Sequence, residues 1–192
     1  LTLNQAEKYL DVLEEEIEHL NKIAVDFLFA VKPMEVELKK EDINSIISEI
    51  ISFLEPQAEE KSIKIEESLS TFLPNIEIDS RLIKQAFLNL IQNAFAAMPN
   101  GGTLTVQSKS NGDYISIVIA DTGVGIPQEK LSKIFEPYYT TKASGTGLGL
   151  TLVYKIMKEH NGEIHVTSEV NKGTTFVLDF PIPVSERKAI EG

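Results

Sequence analysis

Pro33 divides this chain between two hydrophobic periods. Before it, apolar residues fall at Leu3, Ala6, Leu10, Leu13, Ile17, Leu20, Ala24, Phe27 and Val31. The steps alternate three and four without a break, which is a heptad seam over four repeats. Glu14, Glu15, Glu16 and Glu18 lie off the seam. The spacing predicts one helix of roughly 30 residues, about 45 Å long at ~1.5 Å per residue. So narrow an apolar stripe has to be buried against other helices. Proline lacks the N–H and clashes with the preceding turn, so residue 33 ends the helix and makes a hinge.

Beyond Pro33 the period shortens and mixes. Met34, Val36 and Leu38 alternate and read as a strand. Asp42 is placed to cap a helix with Ile43, Ile46, Ile47, Ile50, Ile51 and Leu54 on one face, kinked or shortened at Pro56. Short strands are expected at Ile63–Ile65 and Ile76–Ile78, then a helix capped by Asp79 or Ser80 and running to about Met98. Pro99-Asn100-Gly101-Gly102 marks a turn. Strands over Thr103–Ser108 and Tyr114–Ala120 are joined through Asn111-Gly112. One short helix is expected near Gln128–Ile134, a longer one over Leu148–His160, and a closing hairpin from Glu163 to Phe180 around Asn171-Lys172-Gly173. From residue 34 onward this order predicts an α+β two-layer sandwich, with helices on one face of a mixed, mostly antiparallel sheet. The last ten residues read as a tail.

Composition narrows the function classes. A formal net charge of -11 argues against a non-specific binder of nucleic acid or anionic membrane, because both need clustered positive charge. With no cysteine in the 192 residues, disulfides and thiolate metal sites are excluded, in keeping with the cytoplasm. No stretch approaches the ~18 consecutive apolar residues of a membrane span. Acidic charge throughout residues 1–30 does not fit a signal peptide. The opening on Leu1 in place of Met leads us to expect a piece of a longer protein.

Four features carry chemistry. Asn89 and Asn93 are four apart on the predicted third helix, so they share a face. Buried amides need partners, and they either satisfy backbone groups or offer an oxygen to Mg²⁺, which prefers oxygen donors. Asp121-Thr122-Gly123-Val124-Gly125-Ile126-Pro127 follows a strand. It is either an ordinary turn or a wall whose carboxylate accepts from an adenine amine, with glycines that let the backbone approach a ligand. Phe135-Glu136-Pro137-Tyr138-Tyr139-Thr140-Thr141-Lys142 is either a loop anchored by its aromatics or a lid that docks on a partner and brings Lys142 to phosphate. Gly145-Thr146-Gly147-Leu148-Gly149-Leu150 stands just before a helix, where free backbone N–H groups bind anions. Its spacing fits neither the dinucleotide fingerprint nor a P-loop.

In order and spacing, these four features resemble the N, G1, F and G2 boxes of the ATP-binding superfamily shared by gyrase, Hsp90, histidine kinases and MutL. More narrowly, the chain resembles the catalytic domain of bacterial two-component sensor histidine kinases over nearly its whole length. The resemblance implies the Bergerat α/β sandwich for residues 33–182. It makes residues 1–32 the second helix of a dimerisation and histidine-phosphotransfer hairpin, and residues 183–192 a tail. It implies ATP and Mg²⁺ as ligands, with Asn93 on the metal and Asn89 supporting phosphate or metal contacts. Asp121 would bind the adenine amine, with Gly123, Gly125 and Ile126 shaping that wall. Residues from about 128 to 147 would form a lid. Gly145, Thr146, Gly147, Leu148 and Gly149 would wrap the phosphates, assisted by Thr140, Thr141 and Lys142. Many family members carry Lys or Arg three residues after the second asparagine. That position is Ala96 here, which leaves Lys142 as the candidate substitute.

A kinase of this type phosphorylates a histidine followed by an acid. His19 precedes Leu20, His160 precedes Asn161-Gly162 at a helix end, and His165 alternates within a strand, so none fits. All three read as structural or exposed, and His160 as a cation placed favourably at a helix C-terminus. The acceptor is expected upstream of this chain. The partners implied are the chain's own hairpin, a cognate response regulator and a second copy in a homodimer. Neither nucleic acid nor contact with membrane is expected, and the location implied is cytoplasmic. A hydrolytic ATPase of the gyrase or MutL sort would place a Glu where Asn89 stands. An anti-sigma serine kinase would lack the long first helix. An interaction module without nucleotide would have no use for Asn93, Asp121 and Gly145–Gly149.

Overall fold

A computed structural model describes residues 13, 16, 17, 20, 24, 34–140 and 146–183. Most of the predicted first helix, the Pro33 hinge and the tail beyond Pro183 lie outside the described residues. Within the heptad segment, Leu13, Glu16, Ile17, Leu20 and Ala24 are helical. Three seam residues stand open to solvent: Leu13 at 56%, Ile17 at 57% and Leu20 at 62% exposed.

The folded part follows the predicted order, with strands β1 (Lys39–Glu41), β2 (Ile63–Leu69), β3 (Ile76–Ile78), β4 (Gly102–Ser110), β5 (Tyr114–Asp121), β6 (Glu163–Glu169) and β7 (Gly173–Pro181). The helices are α1 (Ile43–Glu60), α2 (Ser80–Ala97), α3 (Gln128–Leu131) and α4 (Gly149–Glu159). Five strands form one sheet in the order β2-β4-β5-β7-β6, and β1 pairs with β3 in a separate ribbon. Only β2 and β4 run parallel in the large sheet. A parallel pair needs a crossover, and here the crossover contains α2, the helix that carries both asparagines. Inward-facing Leu104, Val106, Ile115, Ile117, Ile119, Phe176, Leu178 and Phe180 meet the apolar faces of α1, α2 and α4 in one core. At about 25 cal/mol per Å² of apolar surface, that burial is the main force holding helices to sheet.

Local chemistry explains the helix boundaries. Asp42 Oδ1 accepts from the Asn44 N–H at 2.9 Å and caps α1. Asp79 Oδ1 accepts from the N–H groups of Arg81 and Leu82 and caps α2. At the end of α4, Asn161 takes φ 53°, its N–H reaches the Lys158 carbonyl, and the Gly162 N–H returns to the Met157 carbonyl at 2.8 Å. That pair of bonds is a Schellman stop.

Three expectations need correction. The first strand is Lys39–Glu41 and not Met34–Leu38. The Glu37 N–H donates to the side chain of Asp79 at 3.1 Å, so this segment is tied down by a carboxylate instead of a strand ladder. Pro56 does not shorten α1, which continues to Glu60. Pro56 and Ser52, whose carbonyl the proline leaves without its helical donor, are both exposed, while Leu54 and Ala58 stay in the core. The short helix stops at Leu131 and gives way to turns through Tyr138.

Candidate functional site

Asn89, Asn93 and Ala97 follow one another by single turns along one stripe of α2, spanning about 12 Å at ~1.5 Å per residue. The two ends of the stripe meet different parts of the chain. Beside Asn89 lies the start of α4: a Cβ added at Gly149 would stand 3.0 Å from Asn89 Oδ1. Beside Ala97 lies the loop after β5. There a Cβ at Gly123 would fall 2.5 Å from the Ala97 carbonyl oxygen, and the Val124 N–H donates to that oxygen at 3.0 Å. Half-buried Asn93 sits midway. Three of the four sequence features thus converge on one helix.

The loop after β5 is a stitched wall. Asp121, about nine-tenths buried at the end of β5, accepts on Oδ1 from the Gly123 N–H at 2.8 Å and the Thr174 N–H at 3.3 Å. Ser168 Oγ accepts from the Ile126 N–H at 2.7 Å and donates to the Gly173 carbonyl at 2.8 Å. The Asn171 N–H reaches the Val124 carbonyl at 2.8 Å. Gly125 has φ +68°, and a Cβ there would lie 2.1 Å from the Glu169 carbonyl oxygen. Both the conformation and the space demand glycine.

The opposite side is built more sparsely. Leu148, buried at 2% exposure, stands at the N-cap of α4, and its N–H donates to Thr146 Oγ1 at 3.3 Å. Gly147, at φ +69°, lies against the backbone of Tyr138, where a Cβ would come within 2.4 Å of the Tyr138 carbonyl carbon. Tyr138 itself holds φ 65° and is 62% exposed. Thr151 Oγ1 donates to the Phe135 carbonyl at 3.1 Å, and the Phe135 and Tyr154 rings stand 5.7 Å apart. Tyr139 packs partly on the core and Thr140 is exposed. Thr141, Lys142 and Gly145 lie outside the described residues.

Sequence reasoning missed the supports behind these residues. Ser168, Gly173 and Thr174 hold the wall from behind, and only the Asn171-Lys172-Gly173 turn marked their region. His160 is corrected more sharply. It is 4% exposed, its Nε2 accepts from the Asp79 N–H at 3.0 Å, and its Nδ1 lies 2.7 Å from the Ile156 carbonyl. Those bonds require the tautomer that donates from Nδ1, so His160 serves as an acceptor and not as a helix-end cation. His165 is exposed on β6, 3.4 Å from Glu163 and 3.5 Å from Asp179. His19 lies outside the described residues.

Burial pushes the Asp79 carboxyl up, but hydrogen bonds from Arg81, Glu37 and Leu82 and the charge of Arg81 outweigh it. The carboxyl therefore sits below its ordinary value near 3.8. Among the described residues no cluster of three His, Asp or Glu is placed to hold a metal. Asn89 and Asn93 offer amide oxygens on the stripe, a donor type that magnesium accepts.

Residues 78–184, more than half of the chain, match the family described as histidine kinase-, DNA gyrase B- and HSP90-like ATPase. The chain is 36% identical over 175 residues to sporulation kinase E of Bacillus subtilis, covering 91% of this chain and 24% of that protein. It is 34% identical to the sensor histidine kinase ZraS of Escherichia coli K12, covering 95% and 39%. It therefore spans well under half the length of these relatives. Among solved structures, full-length ShkA in complex with AMPPNP superposes with a TM-score of 0.82 at 28% identity, covering 94% of this chain and 39% of that one. The histidine kinase ThkA in complex with the response regulator TrrA gives 0.78 at 26%, covering 94% and 52%. Matched by the family model over residues 78–184, by curated relatives in sequence and by solved structures in fold, the chain belongs to the histidine kinase-, DNA gyrase B- and HSP90-like ATPase family, in its sensor histidine kinase branch.

Proposed function

We propose that this chain is the ATP-binding catalytic part of a sensor histidine kinase. It transfers the γ-phosphate of ATP to a histidine located upstream and thence signals to a response regulator. The observation that carries this reading is the stripe Asn89–Asn93–Ala97, flanked by Gly149 at one end and Gly123 at the other. A ligand lying along that stripe has the Asp121 carboxylate and a glycine-lined wall at one end and a helix N-terminus at the other. Adenine and phosphate need those two environments respectively.

In this reading Asp121 accepts from the adenine amine, Gly123, Gly125 and Ile126 form the wall against the base, and α4 directs free N–H groups of its first turn at phosphate. Thr146, Gly147, Leu148 and Gly149 carry that phosphate contact, joined by Gly145, Thr140, Thr141 and Lys142. Asn93 holds Mg²⁺ through its amide oxygen and Asn89 supports it. Bound there, the metal would neutralise phosphate charge and orient the transferred group. Asn89 occupies the place of a water-activating carboxylate, which favours transfer over hydrolysis.

The proposed partition is residues 1–32 as one arm of the dimerisation hairpin, 33–182 as the catalytic domain and 183–192 as a tail. The full protein is a homodimer that works in the cytoplasm. Exposed Leu13, Ile17 and Leu20 support the hairpin arm, since a heptad seam left in water needs partner helices. The ThkA complex, which holds a response regulator, supports that class of partner. No helix among the described residues is long and apolar enough to cross a membrane.

The test is incubation with γ-labelled ATP and Mg²⁺, alone and with the hairpin from the parent protein added in trans. Acid-labile label should appear on the hairpin and not on this chain. Acid-labile label mapped to His19, His160 or His165 would show that the acceptor has been misjudged.

A further inference from the structure

Helices α2 and α4 touch at two places that lie at opposite ends of the pair. At one end the Asp79 N–H donates to His160 Nε2 at 3.0 Å, joining the N-cap of α2 to the C-cap of α4. At the other, Gly149 packs on Asn89. From Asp79 to Asn89 is ten residues, about 15 Å of helix, and from Gly149 to His160 is eleven, about 16 Å, at ~1.5 Å per residue. The helices are therefore antiparallel and of matched span, and the contacts at their two ends are set by one axial register.

Between those ends the pair is apolar: Ile83, Phe87, Val153, Ile156 and Met157 are all buried. Interdigitated apolar side chains limit sliding, and a hydrogen bond at the end of the pair adds a directional constraint on the same register. The bond between Asp79 and His160 is placed to do that. His160 is held from its own helix through Nδ1 and the Ile156 carbonyl, so its ring cannot turn without breaking both bonds. Asp79 is held by Arg81 and by the Glu37 N–H from the segment that leads into the domain. Both residues are buried, Asp79 at 2% and His160 at 4% exposed, so water does not replace the bond if it is lost.

We propose that Asp79 and His160 are positioning residues for the nucleotide site. Their bond sets α2 against α4, so that Asn89 and Asn93 face the N-terminus of α4 at the distance a bound phosphate requires. The entry segment acts on the same knot through Glu37. This rests on the reading of the site as an ATP site. It adds a determinant that none of the four sequence features contains and that lies about three helical turns from Asn89.

The experiment compares the wild type, His160→Leu, His160→Gln and Glu37→Pro in the whole chain, well below each melting temperature. The readouts are calorimetric ATP affinity with Mg²⁺ and amide exchange at Leu152 and Val153 without nucleotide. Those two amides lie about two turns from residue 160. H160L leaves the buried Asp79 N–H without its acceptor, so exchange at both amides should quicken and ATP affinity should fall about tenfold. H160Q, which keeps an acceptor at the reach of Nε2, should restore both. E37P removes one donor to Asp79 from an exposed position, so it should move both readouts the same way by about two- to threefold. It keeps the test decisive if H160L does not fold. Change confined to exchange around Ile156–Gly162, with ATP affinity unchanged in the folded variants, would overturn the proposal, as would an E37P protein unchanged in both readouts. A wild type that binds no ATP would sink the proposed function instead, and the exchange readout would still decide the register.

Discussion

The two sides of the candidate site are built from the same kind of residue and held in opposite ways. Gly125 and Gly147 both take left-handed backbone, and both stand where a side chain would collide with main chain. The obstacle at Gly125 is Glu169, the last residue of β6, in a sheet stitched to the loop through Ser168, Thr174 and Asn171. The obstacle at Gly147 is Tyr138, itself an exposed turn residue in the left-handed region. One side cannot yield without disturbing the sheet, and the other can. A preformed wall with an adaptable opposite face suits a site that must recognise a base and then close over phosphate.

The largest effect should come from breaking the wall. Gly125→Ala adds left-handed strain and a clash with strand backbone, together about 2–4 kcal/mol. At roughly 2–4 °C per kcal/mol for a domain of this size, the melting temperature should fall by about 4–16 °C. Gly147→Ala carries the same left-handed strain but meets a loop that can shift, so it should cost only about 1–2 kcal/mol of stability while weakening ATP binding. Equal losses of stability in calorimetric melts would erase the contrast between the two sides.

A change at the wall that spares its shape should show up in specificity. Asp121→Asn keeps the size of the side chain but turns one acceptor into a donor. ATP should lose about 1–3 kcal/mol of binding, and GTP much less. Equal loss for both nucleotides in competition binding would remove Asp121 from adenine recognition.

The smallest effect concerns the far end of α2. The Asp79 carboxyl is held below its ordinary value when folded, so its contribution to stability is complete above the unfolded value near 3.9 and is lost as pH falls through the folded one. The melting temperature of the wild type should therefore drop more steeply below about pH 4 than that of Asp79→Asn. Parallel acid limbs for the two proteins would mean that Asp79 carries no such linkage.

Much of this arrangement was legible in the sequence because it depends on local chemistry. Asp42 and Asp79 announced their helices, Asn111-Gly112 its hairpin and Asn171-Lys172-Gly173 the other. The period of the apolar residues separated helix from strand almost throughout. The failures are tertiary. Met34–Leu38 alternates as a strand does, but its Glu37 N–H finds a carboxylate 42 residues away. Pro56 carries a helix-breaking signal that is overridden because it falls on the solvent side of a helix anchored by Leu54 and Ala58. His160 looked like a helix-end cation because its partner, the Asp79 N–H, is 81 residues distant. The sequence features marked Asn89, Gly123 and Gly149, which the structure brings to one helix; it added Ser168 and Thr174 behind the wall and joined Asp79 to His160. Supporting residues of this kind have no fixed spacing from what they support, so no pattern along the chain marks them.

The central claim is that the Asn89–Asn93–Ala97 stripe lies along one nucleotide, with the phosphates and their metal beside the asparagines. Calorimetric titration of ATP into the wild type and Asn93→Ala, each with Mg²⁺ and with a chelator, tests it most directly. The wild type should bind at one site per chain, and chelation should weaken that binding clearly. Asn93→Ala should stay folded and bind weakly under both conditions, its dependence on Mg²⁺ gone. Absence of saturable binding by the wild type, or an undiminished Mg²⁺ dependence in Asn93→Ala, would contradict the account.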